Sequence, residues 1–256
     1  MTAVLSTAAG TLNGISVERT SLDEAVAEFI AGLATGVPAK AHHLVNSYTF
    51  ALTGTELAYK TLLEHSGVNL PDGRPLVAAL NRLDHGGEPF GQVRGPSFFA
   101  ECFDKGRAFG LRHLFLGCSD ELLASLKEAV EERFPGTLIV GTISPPFRAL
   151  TDLERADQDF EIKACRPDVV WVGLGTPKQD YEAQRIAKEC GVTTAAVGAA
   201  FDFFAGTKPE APEWMRRMTL ECVFRLLSEP RRLLKRYLFG NIRFMLMVYR
   251  ERYPRR

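Results

Sequence analysis

Val169-Val170-Trp171-Val172-Gly173-Leu174-Gly175-Thr176-Pro177-Lys178-Gln179 runs from an unbroken apolar segment through two glycines into a polar stretch with helical character. Val169 to Leu174 reads as a strand covered on both faces, because a half-exposed strand would alternate with polar residues. Pro177 suits a first helical turn, and a helix is expected from Pro177 to Cys190. The turn between them brings glycine backbone, Lys178 and Gln179 to the positive end of that helix, where a diphosphate or a ribose can be held. It is not a dinucleotide fingerprint, since the third glycine is missing, nor a P-loop, since G-x-x-x-x-G-K-[ST] does not occur. Read alone, it serves equally well as a plain strand-to-helix connection.

The same alternation repeats outward from this unit. Further strands are expected at His43 to Asn46, His113 to Leu116, Leu138 to Gly141 and Thr194 to Val197. Helices are expected at Ser21 to Leu33, Thr49 to His65, Pro96 to Gly106, Asp120 to Phe134 and Thr151 to Cys165, with Ser21 and Asp120 as N-caps. Short strands alternating with helices predict the α/β class, a Rossmann-like parallel sheet flanked by helices. Ligands of such sheets sit beyond the carboxyl ends of the strands. The loops to inspect are therefore Asn46 to Thr49, Gly117 to Asp120, Gly141 to Arg148, Gly173 to Gln179 and Gly198 to Gly206.

The chain has 256 residues, 46% of them hydrophobic, and a formal net charge of zero that conceals an asymmetry. Trp214 to Arg256 carries twelve lysines and arginines against three acids, a net +9, which leaves the first 213 residues at −9. A basic tail on an acidic body implies an anionic partner for the tail. After Ser228-Glu229-Pro230, Arg231, Arg232, Lys235 and Arg236 fall on one side of a helix and Leu233, Leu234, Tyr237 and Leu238 on the other. Ile242 to Tyr249 is too short to span a bilayer but suits an interface, with arginines for anionic lipid. Docking of this helix on the body through its leucines is the competing reading. Nucleic acid is disfavoured, because the tail lacks interleaved stacking aromatics. The five cysteines show no C-x-x-C and are expected to be reduced thiols. The N-terminal residues lack the basic leader and apolar core of a secretory signal.

Three tempting motifs have plain readings. Asp72-Gly73, after Pro71, is by residue type a turn. Asp157-Gln158-Asp159 resembles a metal-binding D-x-D but falls in an expected helix, where i and i+2 diverge, and reads as a solvated face. His42-His43 has no ligand partner at metal spacing and reads as structural.

Taken in order, Leu12-Asn13-Gly14, Val45-Asn46-Ser47-Tyr48-Thr49, Pro71-Asp72-Gly73, Arg94-Gly95-Pro96, Gly173 to Gln179, Gly198 to Gly206, Ala211-Pro212-Glu213-Trp214 and Arg225 to Arg232 resemble the WecG/TagA/CpsF family of glycosyltransferases. The resemblance covers nearly the whole chain. It implies an inverting, metal-independent, cofactor-free transfer from a UDP-sugar, of the UDP-ManNAc, UDP-ManNAcA or UDP-glucose type, to a polyprenyl-diphosphate-linked saccharide in bacterial cell-wall or surface-polysaccharide synthesis. It also implies a glycosyltransferase domain at 1–212 and an active-site-completing appendage at 213–256. The expected location is cytoplasmic, peripheral on the inner face of the membrane. Carried over, the catalytic base falls on Asp72 and the appendage's catalytic arginines on Arg225 and Arg232. Substrate-binding positions carried over fall on Asn46, Arg94, Gln179, Asp202 and Lys235, and the strand-end loops read above add Gly117, Gly175 and Lys178. Family members have Thr before the pocket Asn where this chain has Leu44 and Val45, and Lys235 cannot grip phosphate bidentately as Arg does. Both departures leave the donor sugar open.

Such a transfer needs a base for the acceptor hydroxyl, stabilisation of departing UDP, and alignment of both sugars. Fixed cations at the leaving diphosphate are usually the largest of these contributions, and the tail arginines can supply them. A nucleotide-sugar-binding adaptor without turnover is the rival from another class. An NAD-dependent oxidoreductase is disfavoured, since no ribose-binding acid is evident about 20 residues past the glycine turn.

Overall fold

The computed structural model describes residues 9–84, 86–212, 215, 224 and 230–253, with the backbone alone for 230–239. Strands β1 (Ala9–Leu12) and β2 (Ile15–Glu18) form an antiparallel hairpin. Asn13 and Gly14 between them have φ of 54° and 82°, the conformation for which Asn-Gly is favoured in two-residue hairpin turns. The strand reading above omits this hairpin, although Asn-Gly is its strongest local signal.

Six parallel strands form the main sheet: β3 (Ala41–Val45), β4 (Val68–Pro71), β5 (Arg112–Leu116), β6 (Leu138–Ile143), β7 (Val169–Val172) and β8 (Thr193–Ala196), in the order β4-β3-β8-β7-β5-β6. The helices are α1 (Leu22–Thr35), α2 (Ser47–Thr53), α3 (Leu57–His65), α4 (Arg74–Leu83), α5 (Gly95–Gly106), α6 (Asp120–Arg133), α7 (Asp152–Cys165), α8 (Lys178–Cys190), α9 (Ala200–Phe204) and α10 (Pro230–Arg252). The Rossmann-like α/β expectation is met. β7, the strand that decides the fold, is buried at every position. Trp171 at its centre lies among Phe29, Phe98, Phe99 and Phe103 and donates its indole N–H to His113 Nδ1 at 3.0 Å. Burial pushes the His113 imidazole down to about 3, so it stays neutral and can accept that bond.

Several expectations are corrected. The helix expected from Thr49 to His65 is two helices, broken at Gly54-Thr55-Glu56, where the amides of Thr55 and Glu56 both turn back to Leu52 O. Gly is a poor helix interior residue, and here it allows the break. Asp120 is the first residue of α6 rather than its cap; Ser119 Oγ accepts the Leu122 amide. Ser21 does cap α1, with Glu24 completing a capping box. The Asp72-Gly73 turn lies between a strand and a helix, β4 and α4, that the sequence reading omits.

At the C-terminus, the apolar run Ile242 to Tyr249 is not a separate segment but the second half of α10. Gly240 and Phe244 are buried and Met247 and Val248 half-buried, with Phe244 against Phe50 and Gly240 against Tyr48 and Ala51 of α2. Ile242, Met245, Leu246 and Tyr249 remain 53%, 70%, 51% and 63% exposed. With about 3.6 residues per turn, these two sets occupy opposite sides of one helix. Among the described residues no helix is long and apolar enough to cross a membrane.

Candidate active site

The connection from β5 leads outward to β6, whereas that from β7 leads the other way to β8, so the topological switch point lies between β5 and β7. A crevice is expected there. A cleft of about 240 Å³ opens at this point, its walls including Cys118, Phe147, Arg155, Gly173, Lys178 and Glu182. The backbone approaches closely at its floor. A Cβ on Gly117, at φ 131°, would fall 2.7 Å from Gly173 O, and one on Gly173 would fall 2.5 Å from the Phe201 ring. Gly117 is thus required by packing of the two strand ends, whatever it also offers a ligand. Phe147, at the rim, is 89% exposed, and sequence reasoning passed it over.

Gln179 is buried, and its side chain ties two loops together. Its Oε1 accepts the Gly175 amide at 3.0 Å and its Nε2 donates to Ala196 O at 3.3 Å. The β7 turn is thereby fixed to the end of β8. Lys178 stands exposed beside it on the cleft wall.

A second group gathers at the ends of β3 and β4. The Asp72 amide donates to Val45 O at 2.8 Å and the Val93 amide to Pro71 O at 2.8 Å. Asp72, Asn46 and Arg94 are thereby held at neighbouring strand ends. Asn46 is the N-cap of α2, its Oδ1 accepting the amides of Tyr48 and Thr49 at 3.0 and 3.2 Å. With its carbonyl so engaged, Asn46 offers a ligand its amide donors. Arg94, the N-cap residue of α5, pairs with Glu210 at 2.6 Å and lies 5.9 Å from the Phe203 ring centroid. Asp202 sits between the two groups, paired with Lys208 at 2.9 Å. Burial pushes the Cys118 thiol up to about 11, helped by the Asp202 carboxylate and opposed by Lys208, so Cys118 is a neutral thiol rather than a nucleophile. Neither Glu210 nor Lys208 was singled out from sequence, and no local motif marks them.

His42-His43 has the structural role expected of it. His43 donates from Nδ1 to Asp180 Oδ1 at 3.0 Å, and Tyr59 donates to Asp180 Oδ2 at 2.7 Å, all three buried. This joint ties β3, which ends at Val45 just before Asn46, to α3 and to the first turn of α8. Burial and the Asp180 carboxylate hold the Tyr59 phenol protonated by pushing its pKa up. His42 Nδ1 lies 3.3 Å from Thr194 O. The D-x-D stretch is corrected: it is helical as expected, but only Asp157 faces solvent. Gln158 is buried and donates to Glu182 at 2.6 Å, and both Asp159 oxygens accept from Arg185 Nη1 at 2.8 Å.

Arg225 lies outside the described residues, as do the side chains of Arg232 and Lys235. Their backbones at 232 and 235 belong to α10. The rest of the expected site stands on one rim of the sheet, in two groups joined through the end of β8.

The sequence profile of the glycosyl transferase WecG/TagA/CpsF family matches residues 11–256. The chain belongs to that family. An N-acetylglucosaminyldiphosphoundecaprenol N-acetyl-beta-D-mannosaminyltransferase of Bacillus spizizenii is 30% identical over 176 residues, covering 68% of this chain and 65% of that protein. A protein of the same name from Staphylococcus aureus is 26% identical over 181 residues, 70% of this chain and 68% of its own length. The match therefore spans just under two thirds of the Bacillus relative. In this WecG/TagA/CpsF glycosyltransferase, both groups of rim residues fall inside the matched region.

Proposed function

We propose that this chain transfers a sugar from a UDP-sugar to a polyprenyl-diphosphate-linked saccharide, with inversion and without a metal, at the surface of the membrane that holds the acceptor. The observation carrying the reading is the placement of Asp72 beside Asn46 at the β3 and β4 ends, on the same rim as the cleft at the β5/β7 switch point. Neighbouring strands are about 4.8 Å apart, so β7 and β4, three strands apart, are separated by roughly 14 Å. An elongated ligand suits that span. The nucleotide takes the cleft, with Lys178 and the α8 N-terminus near its phosphates and Phe147 offering a ring face to the base. The transferred sugar then lies toward Asn46, Arg94 and Asp72. The acceptors named for the relatives carry GlcNAc on a diphosphoundecaprenol, which makes a lipid-linked GlcNAc the first acceptor to try and ManNAc the first sugar.

In the reaction, Asp72 takes the proton of the acceptor hydroxyl as its oxygen bonds to the sugar's anomeric carbon from the face opposite the phosphate. The bond from that carbon to the diphosphate breaks, and the electron pair leaves with UDP. Arg225, Arg232 and Lys235 of the 213–256 appendage offset the charge on the leaving group. Metal independence is supported by the D-x-D stretch, whose Asp159 is gripped by Arg185. The outer face of α10, apolar and flanked by Arg243, Arg250 and Arg252, supports contact with anionic lipid.

The test is a panel of UDP-sugars, UDP-ManNAc first, offered with a short-chain lipid-diphosphate GlcNAc and read by mass spectrometry of the product. A product one sugar heavier, with stoichiometric UDP, is the expected result. Tight UDP-sugar binding with no product across the panel would instead make the chain a nucleotide-sugar-binding adaptor.

A further inference from the structure

The cleft at the β5/β7 switch point carries four charged side chains on its walls, Arg148, Arg155, Lys178 and Glu182, and they are not equally free. Arg148 directs both terminal nitrogens at Glu154, at 2.8 and 2.6 Å. Glu182, the one acid of the four, accepts from Arg185 at 3.1 and 2.8 Å and from Gln158 at 2.6 Å. Among the described residues no carboxylate pairs with Arg155 or Lys178, and both are exposed. The cleft is thus left with two positive charges that nothing on its walls offsets, in the part of the chain whose net charge is −9. An anion is what such a cleft draws in.

Helix geometry sets these two cations opposite each other. α7 and α8 each follow a strand of a parallel sheet, so both begin at its carboxyl edge. The bond from buried Gln158 to Glu182 joins the two helices. Arg155 stands three residues before Gln158, and Lys178 four before Glu182, so each lies on the same face of its helix one turn nearer the mouth of the cleft. The bonded pair below therefore sets the spacing of the two backbones from which the cations extend. A guanidinium fork can take two oxygens of one phosphoryl group, while an ammonium acts as a point charge on the next, with the α8 N-terminus behind it.

We propose that Arg155, which no motif of the family resemblance marks, is a donor-binding residue: together with Lys178 it grips the diphosphate of the nucleotide sugar, from the α7 side of the cleft. This rests on the reading that the cleft takes the nucleotide, and it leaves the transferred sugar toward Asn46, Arg94 and Asp72. The two cations meet charge that the donor already bears when it binds, so they contribute to affinity. The cations of the 213–256 appendage act instead on the charge that develops as UDP departs.

The experiment is isothermal titration of the full chain with inorganic pyrophosphate and, separately, with UDP at low ionic strength. Five forms are compared: the parent, Arg155→Gln, Arg155→Lys, Lys178→Gln and the double glutamine variant. Arg155 is exposed on a helix surface, so its variants should melt like the parent. Arg155→Gln is expected to bind pyrophosphate about ten-fold more weakly than the parent, the factor that loss of one charge-assisted contact gives. Lys178→Gln should lose a similar factor and the double variant more than either. Arg155→Lys keeps the charge without the fork and should recover part of the loss. The loss on UDP should match that on pyrophosphate, because the phosphates are what is gripped. Pyrophosphate binding by Arg155→Gln within about two-fold of the parent, well inside one lost contact, overturns the proposal, as does absence of pyrophosphate binding by the parent. A loss confined to UDP also overturns it, and moves Arg155 to the base or the ribose. If no form binds UDP, the nucleotide reading of the cleft fails, and the pyrophosphate series still decides whether Arg155 and Lys178 hold a diphosphate.

Discussion

The two faces of α10 can be separated by substitution, and the structure sets the sizes of the effects. Met245, Leu246 and Tyr249 are 70%, 51% and 63% exposed on the outer face. Fully burying such a side chain yields about 1.5–3 kcal/mol, so with half or more of each still exposed roughly 1 kcal/mol apiece remains to be gained at a lipid interface. Replacing all three by serine should therefore forfeit about 3 kcal/mol, on the order of a hundred-fold in vesicle partitioning. Arg243, Arg250 and Arg252 add about 1 kcal/mol each on anionic lipid, and salt should erode that part. The inner face behaves differently. Phe244 is 4% exposed and packs on Phe50, so Phe244→Ala should cost about 3–5 kcal/mol of folding stability. Truncation after Gly240 would remove both faces at once and disturb α2, which begins beside Asn46, so it cannot isolate the anchor. The assay is flotation with phosphatidylglycerol-containing and purely zwitterionic vesicles at low and high salt, alongside thermal melts. The triple serine variant should melt like the parent but fail to float. If it floats as well as the parent, the outer face is not the docking surface and the reasoning fails.

Asp72→Asn keeps the side chain's shape and the backbone bond to Val45 and should reduce turnover by ~10²–10⁴ while donor binding survives; near-parental turnover in a UDP-release assay would remove Asp72 as the base. Activity should persist in excess EDTA, and a loss restored by Mg²⁺ or Mn²⁺ would return attention to Asp157, Asp159 and Asp202. Burial pushes His42 and His113 down to about 4 and 3, below the unfolded value near ~6.5, so the unfolded chain binds more protons in that window. Their contribution is complete above about pH 6.5 and is lost as pH falls toward the folded values, by up to ~1.4 kcal/mol per unit for each group. Urea denaturation from pH 7 to 4.5 should show that decline, and a His113→Gln variant should show a shallower one.

Much of the alternation of strands and helices from Ser21 to Val197, though not β4, α4 or the break between α2 and α3, was legible in sequence because a doubly covered parallel sheet needs continuous apolar runs such as Val169 to Val172, and those runs are local. So was the tail's charge, which is a count. The family resemblance named Asp72, Asn46 and Arg94 before any fold was known, but not that they share a rim. That required parallel pairing to bring Val45 and Pro71 level, a register set by contacts between residues far apart in the chain. The break at Gly54 and the two-faced character of α10 were hidden for a different reason. An unbroken apolar run does not say which of its side chains will find a partner, and only the packing of Phe244 on Phe50 decides which side of that helix is left bare. The pairing of Glu210 with Arg94 lies furthest from sequence, because an ion pair between residues more than a hundred positions apart has no periodicity. It exists only because the chain, leaving α9, passes back over the sheet's carboxyl edge.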